Sequence, residues 1–121
     1  MIAERVDNDA KSATRFYDRA FAPILDESDS TESQARILTY IGVLAEEAHR
    51  LNDAESLYLQ ALRADPIRPE ALQNLAILRI GQSRRNEALI LLQKAHEVAP
   101  DDAEISANLQ RLKDEMEKLS R

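Results

Sequence analysis

The pattern that decides the fold is written twice, first as ARILTYIGVLAEEAHRLNDAESLYLQALRADPIR at residues 35–68 and then as PEALQNLAILRIGQSRRNEALILLQKAHEVAPDD at residues 69–102. A shift of 34 residues superimposes matching residue types: Leu38 falls on Leu72, Ile41 on Leu75, Gly42 on Ala76, Ala54 on Ala88, Tyr58 on Leu92, Ala61 on Ala95 and Pro66 on Pro100. Self-similarity at a fixed period of this length indicates a repeat architecture, in which each copy is one supersecondary unit.

Each copy predicts two helices, because its apolar residues recur at helical spacings in two separate stripes. In the first copy, Asn52 followed by Glu55 indicates a helix start, since the Asn side chain accepts from a free backbone N–H group and the Glu side chain reaches back. Asp65 before Pro66 predicts the end of that helix. In the second copy, residues 81–83 predict the turn between the helices.

Small residues occupy matching positions in the two copies. Gly42 corresponds to Ala76, and Ala54 corresponds to Ala88. Two helix axes approach to roughly 8–9 Å only where no bulky side chain intervenes. These positions therefore predict the crossing point of each helix pair, and bulkier residues on either side fill the remaining space.

This arrangement resembles the tetratricopeptide repeat family. That family places a large residue, Leu-Gly, an aromatic residue, Ala, Phe, Ala and Pro at set spacings over a period of the same length. The corresponding residues here are Leu38, Ile41-Gly42, Ala45, Ala54, Tyr58, Ala61 and Pro66, and then Leu72, Leu75-Ala76, Arg79, Ala88, Leu92, Ala95 and Pro100. The resemblance covers residues 35–102 and departs at two places, with Leu in place of the first large residue, Trp, and Ala45 and Arg79 in place of the aromatic. It implies an all-α fold, a short right-handed α-solenoid of two helix-turn-helix repeats at 35–68 and 69–102.

The segments on either side of the repeats also predict helices. Residues 1–25 predict an N-terminal packing helix that stops at Pro23 and covers the end of the first repeat, as solenoids require. A dimerisation helix, a partner-binding helix and a degenerate repeat are the alternatives for that segment.

Residues 103–121 predict a C-terminal capping helix with one apolar stripe and charged faces elsewhere. Asp101, with Glu104 three residues later, predicts its N-cap. A third repeat that ends after its first helix, or a short coiled-coil seam, are the alternatives here.

Composition and charge narrow the function classes. The formal net charge of −6 argues against nucleic acid and anionic membranes as partners, because both select basic patches. The absence of cysteine excludes disulfides and Cys-based zinc sites. No apolar run approaches the length of a membrane span, and the first ten residues contain no apolar signal-peptide core. We therefore expect a cytoplasmic location if the N-terminus is native.

No set of residues predicts catalysis, a metal site or a cofactor. His49 and His96 lie in different predicted helices, out of register with the repeat and without ligand-spaced partners. Glu46 and Glu47 are adjacent, so their side chains diverge on a helix, and we assign them to a solvated face. No Gly-rich loop could hold a phosphate group. We therefore expect a protein that is not an enzyme and that uses no cofactor.

The resemblance also implies a concave groove lined by the first helix of each repeat, which holds an extended peptide or a helix. Carried over onto this chain, the groove residues are Arg36, Tyr40, Val43, Glu47, Glu70, Gln73, Asn74, Ile77, Glu104, Asn108 and Arg111. Asn74 and Asn108 are 34 residues apart, and an Asn amide can donate to and accept from a peptide backbone at once. Glu70 and Glu104 stand where carboxylate-binding members of the family place Lys or Arg, which favours a neutral or basic peptide.

We therefore expect a peptide-binding adaptor whose partner is a protein or peptide. One alternative is a scaffold that assembles with copies of itself, for example as a homodimer, because about three repeats are usually needed for stability and two are complete here. The other is a regulatory or substrate-docking domain of a larger protein.

Overall fold

The computed structural model describes residues 31–120, and every regular element in that range is an α-helix. The helices are α1 (Thr31–Glu47), α2 (Leu51–Ala64), α3 (Pro69–Gly81), α4 (Arg85–Val98) and α5 (Ala103–Leu119). The all-α class predicted from the sequence is confirmed for this range. The N-terminal helix predicted over residues 1–25 lies outside it. Helices α1 and α2 belong to one compact unit and α3, α4 and α5 to a second, with the division between Pro66 and Ile67.

In the first unit, α1 and α2 approach each other closely at Gly42. A Cβ atom added there would lie 2.5 Å from Cε1 and 2.8 Å from Cδ1 of the Tyr58 ring. Carbon atoms prefer separations of about 3.5–4.0 Å, so the fully buried ring fits because Gly42 has no side chain. Ala54 also has no exposed surface. The crossing point predicted at Gly42 is confirmed.

Glu46 differs from its predicted place on a solvated face. It is half-buried, and its Oε1 accepts a hydrogen bond of 2.7 Å from the Tyr58 hydroxyl. Burial is the main cause that raises the pKa of Tyr58 above its ordinary value, and the bond to Glu46 and the charges of Glu46 and Glu47 raise it further. The reason for the difference is the length of the tyrosine side chain, which crosses the helix interface and places its hydroxyl at the edge of the core.

In the second unit, α4 packs against both α3 and α5. One cluster of buried residues holds the three helices together and consists of Ala76, Ala88, Leu92, Leu109 and Leu112. The half-buried side chains of Ile80, Leu89, Leu91 and Met116 pack around it. The unit therefore has a core of Leu, Ile and Ala, and the apolar stripe predicted for the C-terminal helix supplies part of it.

The turn within each helix pair has the same geometry in both units. His49 and Ser83 both take a left-handed backbone conformation, with φ of 62° and 63°. Arg50 N donates to Ala45 O at 2.9 Å, and Arg84 N donates to Arg79 O at 2.7 Å. The residue before each Arg donates to the carbonyl three positions back, so both helices end in a Schellman motif.

The helix start predicted at Asn52 is wrong. Helix α2 begins at Leu51, and its N-cap is Arg50, whose side chain makes no capping hydrogen bond. The Schellman turn directs the chain straight into the next helix, so Asn52 already lies inside it. The guanidinium of Arg50 instead pairs with Asp53 at 2.6 Å, and Arg84 pairs with Glu87 at 2.8 Å in the corresponding place of the second unit.

Two other boundaries differ by one residue. The N-cap of α5 is Asp102 and not Asp101: its Oδ1 accepts from Glu104 N at 3.0 Å and Ile105 N at 3.1 Å. The extended backbone of Asp102, with φ −77° and ψ 111°, is the geometry that an N-cap requires. Gly81 is the last residue of α3, so the turn predicted at 81–83 begins at Gln82.

Arg79 takes the place where the family pattern has an aromatic residue. It is only 7% exposed, and its Nη1 donates to Gln82 Oε1 at 2.9 Å. Its Nε lies 3.4 Å from Glu87 Oε1. The long aliphatic stem of Arg79 is therefore buried, while the guanidinium group at its tip has polar partners.

Candidate binding surface

The predicted groove residues of the first unit lie along one side of α1. Arg36, Tyr40, Val43 and Glu47 follow each other at spacings of four, three and four residues, which places them on one helix face. Tyr40 is 64% exposed, Arg36 and Glu47 are exposed, and Val43 is half-buried. The first unit therefore presents an aromatic side chain between two residues of opposite charge.

The predicted residues of α3 differ from each other in exposure. Glu70 is exposed and its Oε1 lies 2.8 Å from Arg68 Nη2. Ile77 is 42% exposed, and Asn74 is half-buried. Gln73 is only 9% exposed, so it is buried and does not stand free on the surface. This face of α3 offers one apolar side chain and one amide beside a buried glutamine.

The predicted residues of α5 include a pair that interact with each other. Arg111 Nη1 donates to Asn108 Oδ1 at 2.9 Å, one turn apart on the helix. Asn108 is half-buried, and Arg111 and Glu104 are exposed. Because its carbonyl oxygen already accepts from Arg111, Asn108 offers a ligand chiefly its amide N–H groups.

A hydrogen bond brings the predicted residues of α3 and α5 together. Gln73 Nε2 donates to Glu104 Oε1 at 3.1 Å, across 31 positions in the sequence. The other amide atom, Gln73 Oε1, is buried and has no hydrogen-bond partner among the described residues. Both residues are among the predicted groove residues, but the sequence does not predict that they contact each other. The presence of a glutamine in one helix does not indicate which residue of another helix it will bind.

Neither histidine lies in a helix that carries predicted groove residues. Nδ1 of His96 is 3.3 Å from the Ser106 hydroxyl, and His49 occupies the turn after α1. Between residues 31 and 120, no group of three or more His, Asp or Glu side chains is placed to hold a metal ion. No helix in that same range is long and apolar enough to cross a bilayer.

No protein-family model matches this chain, and no curated protein matches it.

Proposed function

We propose that this chain is a non-catalytic protein–protein interaction module of the tetratricopeptide type, a short right-handed solenoid that holds a peptide or helix of a partner in a concave groove. The repeated Schellman turns support this proposal, because the same hydrogen bonds recur at Arg50 and Arg84, one repeat apart. Helix pairs built to one template bury their apolar faces by stacking, so a solenoid is the expected architecture.

The observation that carries the binding function is the contact between α3 and α5. The hydrogen bond from Gln73 to Glu104 joins two helices that both carry residues assigned to the groove by the family resemblance. In this proposal, Asn74 and Ile77 of α3 and Asn108 of α5 belong to one ligand-binding surface on the second unit. A surface formed by two helices presents side chains to an extended ligand along its whole length.

Asn74 is the residue best suited to grip a peptide backbone. It is half-buried, and its side chain makes no hydrogen bond to any of the described residues. Its amide can therefore accept from a backbone N–H group and donate to a backbone carbonyl of the ligand at the same time. Asn108 would contribute chiefly its amide N–H groups, since its oxygen already accepts from Arg111. Glu70 and Glu104 favour a neutral or basic segment over an acidic one.

The test is a peptide-affinity measurement on the full chain. Peptides are selected from a random unstructured library, and the dissociation constant of the best binder is measured by fluorescence anisotropy. Asn74→Ala is expected to weaken binding about tenfold, the effect of losing roughly one or two hydrogen bonds from a desolvated contact.

Asn86→Ala is the matched control, because Asn86 is exposed on α4, outside the proposed surface. Its affinity is expected to equal that of the wild type. An unchanged dissociation constant for Asn74→Ala would contradict the proposed contact of Asn74 with the peptide backbone. The absence of any binder in the library would contradict the proposed peptide-binding groove.

Self-association as a scaffold is the second candidate function. Its support is the exposure of large apolar side chains outside the proposed surface, with Ile90 64% and Leu119 63% exposed. Apolar side chains of this size at a surface often mark contacts between protein molecules when they form a continuous patch.

A further inference from the structure

The solvent side of α1 carries apolar side chains at helical spacing. Ile37, Tyr40 and Leu44 follow each other at intervals of three and four residues, which places them on one side of the helix. Tyr40 is 64% exposed and Leu44 is 42% exposed, while Ile37 is half-buried. These three residues form what we call the outer face of α1.

The corresponding side of the later helices is buried. Leu44 corresponds to Leu78 of α3 and, two repeats further along, to Leu112 of α5. Leu78 is 7% exposed and Leu112 is 2% exposed. Ile105, which corresponds in the same way to Ile37, is 1% exposed. This side of the helix is therefore covered in α3 and α5 but not in α1, as far as residues 31–120 are concerned.

In the second unit, the helix that precedes α5 supplies its cover. Leu112 belongs to one buried cluster with Ala88 and Leu92 of α4, which comes directly before α5 in the chain. If the same packing holds one repeat earlier, the cover of α1 comes from the segment before it. That segment has an apolar stripe of residues that recur every three or four positions: Ile2, Val6, Ala10, Ala13 and Tyr17.

We propose that residues 2–22 dock as a helix on the outer face of α1 and act as an internal ligand of the first unit. Residues 23–30 connect this segment to α1, and eight residues lie within the usual length of helix–helix connections, about 2–8 residues. A helix over residues 2–22 is about 30 Å long, and α1 is about 25 Å long. The segment is therefore long enough to cover the whole outer face.

Charge and tethering favour this occupant over a second copy of the chain. The segment contains equal numbers of acidic and basic residues: Glu4, Asp7, Asp9 and Asp18, and Arg5, Lys11, Arg15 and Arg19. It therefore brings no net charge to the contact, whereas two whole chains of net charge −6 repel each other. A short linker also gives a tethered segment an effective concentration of about millimolar order.

Docking of the segment competes with a partner, and this consequence rests on the proposed peptide-binding function. Tyr40 belongs both to the outer face of α1 and to the predicted groove. A peptide can contact Tyr40 only when the segment has left, so the apparent affinity of the first unit falls in proportion to the fraction of undocked molecules.

The docking is tested with a spin label on the full chain. The chain contains no cysteine, so one nitroxide can be attached at Ser12→Cys. It is expected to broaden the backbone NMR signals of the outer face, and Ala13→Asp, in the middle of the apolar stripe, is expected to abolish the broadening. Ala22→Asp is the matched control, because it makes the same change about two and a half turns further along, on the opposite side of the helix.

The broadening is expected to remain in the Ala22→Asp chain. No broadening of the outer face in the labelled chain, or equal broadening with and without Ala13→Asp, would overturn the proposal. A mixture of spin-labelled chains and unlabelled ¹⁵N-enriched chains separates internal docking from contact between copies. The ¹⁵N-enriched chain is expected to show no broadening, and broadening of its outer face would overturn internal docking in favour of a second copy.

The competition is measured with peptides selected from the random library on the Ala13→Asp chain. The best binder is expected to bind this variant about tenfold more tightly than the wild type, as when the face is free in about a tenth of the molecules. The Ala22→Asp chain is expected to bind like the wild type. Equal affinity for all three chains would contradict the competition. If no peptide binds any of them, the proposed peptide-binding function fails, and the spin-label result still decides the docking.

Discussion

The two helix pairs combine different side-chain sizes at the same two positions of the repeat. Gly42 stands against the ring of Tyr58, whereas the corresponding residues of the second unit are Ala76 and Leu92, both fully buried in one cluster. The smaller residue accompanies the larger one in each pair. A change at one position should therefore be tolerated only with the matching change at the other, because packed interiors leave little room for an extra methyl group.

We expect the effect of Gly42→Ala on the free energy of unfolding to depend on the residue at position 58. In the wild-type chain it should destabilise by about 1–2 kcal/mol, since the new Cβ meets the Tyr58 ring and overpacking outweighs the better helix propensity of Ala. In a Tyr58→Leu background the same substitution should be neutral or stabilising. Urea denaturation of the four proteins in a double-mutant cycle measures the coupling free energy.

Gly81→Ala is the control for that cycle, because a Cβ atom at Gly81 would meet nothing within 4 Å. It should be neutral or stabilising by up to about 1 kcal/mol, the difference in helix propensity between the two residues. If Gly42→Ala behaved like Gly81→Ala in the presence of Tyr58, the close approach would be contradicted.

Burial of Tyr58 predicts a loss of stability at alkaline pH. Its pKa is raised in the folded chain, first by burial and then by Glu46, so the unfolded chain loses this proton at a lower pH than the folded one. The stabilisation is fully present below about pH 10, the ordinary tyrosine pKa, and falls above it by about 1.4 kcal/mol per pH unit. Comparing urea denaturation at pH 8 and pH 11 measures this loss.

Tyr58→Phe is the control variant for alkaline unfolding, since it keeps the ring and removes the titrating hydroxyl. It should be less stable than the wild type at pH 8, because the hydrogen bond to Glu46 is lost, and it should lose less stability between pH 8 and pH 11. Equal losses in both proteins would show that other groups cause the alkaline effect.

At the scale of the helix, the Schellman turns are unusual in having no glycine. The left-handed position is held by His49 in one turn and Ser83 in the other, where glycine is the commonest residue. A Cβ atom in this conformation is unfavourable by roughly 1–2 kcal/mol. The hydrogen bonds of the turn and the ion pairs of Arg50 and Arg84 with the next helix offset this cost in part.

We expect Ser83→Gly to stabilise the chain by about 0.5–1 kcal/mol, because relief of the left-handed strain exceeds the added flexibility of the unfolded chain. The midpoint of thermal unfolding, followed by circular dichroism, should rise. Gln82→Gly should instead lower the midpoint, because Gln82 has φ of −90° and gains nothing from glycine, and the hydrogen bond from Arg79 to Gln82 Oε1 is lost. A lower midpoint for Ser83→Gly would mean that the turn is not strained at this residue.

At the scale of the molecule, negative charge and scattered apolar side chains act against each other. A net charge of −6 on 121 residues opposes association between copies of the chain, while residues such as Tyr40 and Ile90 favour it. Single exposed apolar residues are normal on protein surfaces and do not by themselves form an interface.

We therefore expect a monomer in sedimentation velocity over a wide range of protein concentration, in agreement with the adaptor function. A dimer that dissociates on Ile90→Ser substitution would favour the scaffold function instead. Asn86→Ser is the control, because this exposed residue lies one turn before Ile90 on α4 and carries no large apolar group. Raising the salt concentration should promote association only if charge repulsion is what prevents it.

Local signals in the sequence explain which features could be predicted. Five helices were expected between residues 35 and 121, and all are present, since apolar spacing reports directly which face of a segment is buried. The crossing at Gly42 followed from the matched small residues. The N-caps at Asn52 and Asp101 were wrong, because several polar residues near a helix start can cap it and the path of the preceding turn decides among them.

The all-α class and the places of the small residues can be derived from the amino-acid order, because periodicity and side-chain size are properties of the chain before it folds. The contact of Gln73 with Glu104, and that of Tyr58 with Glu46 on another helix, form only in the folded chain. Those contacts depend on the distance and angle at which two helices pack, to which all residues of the interface contribute together.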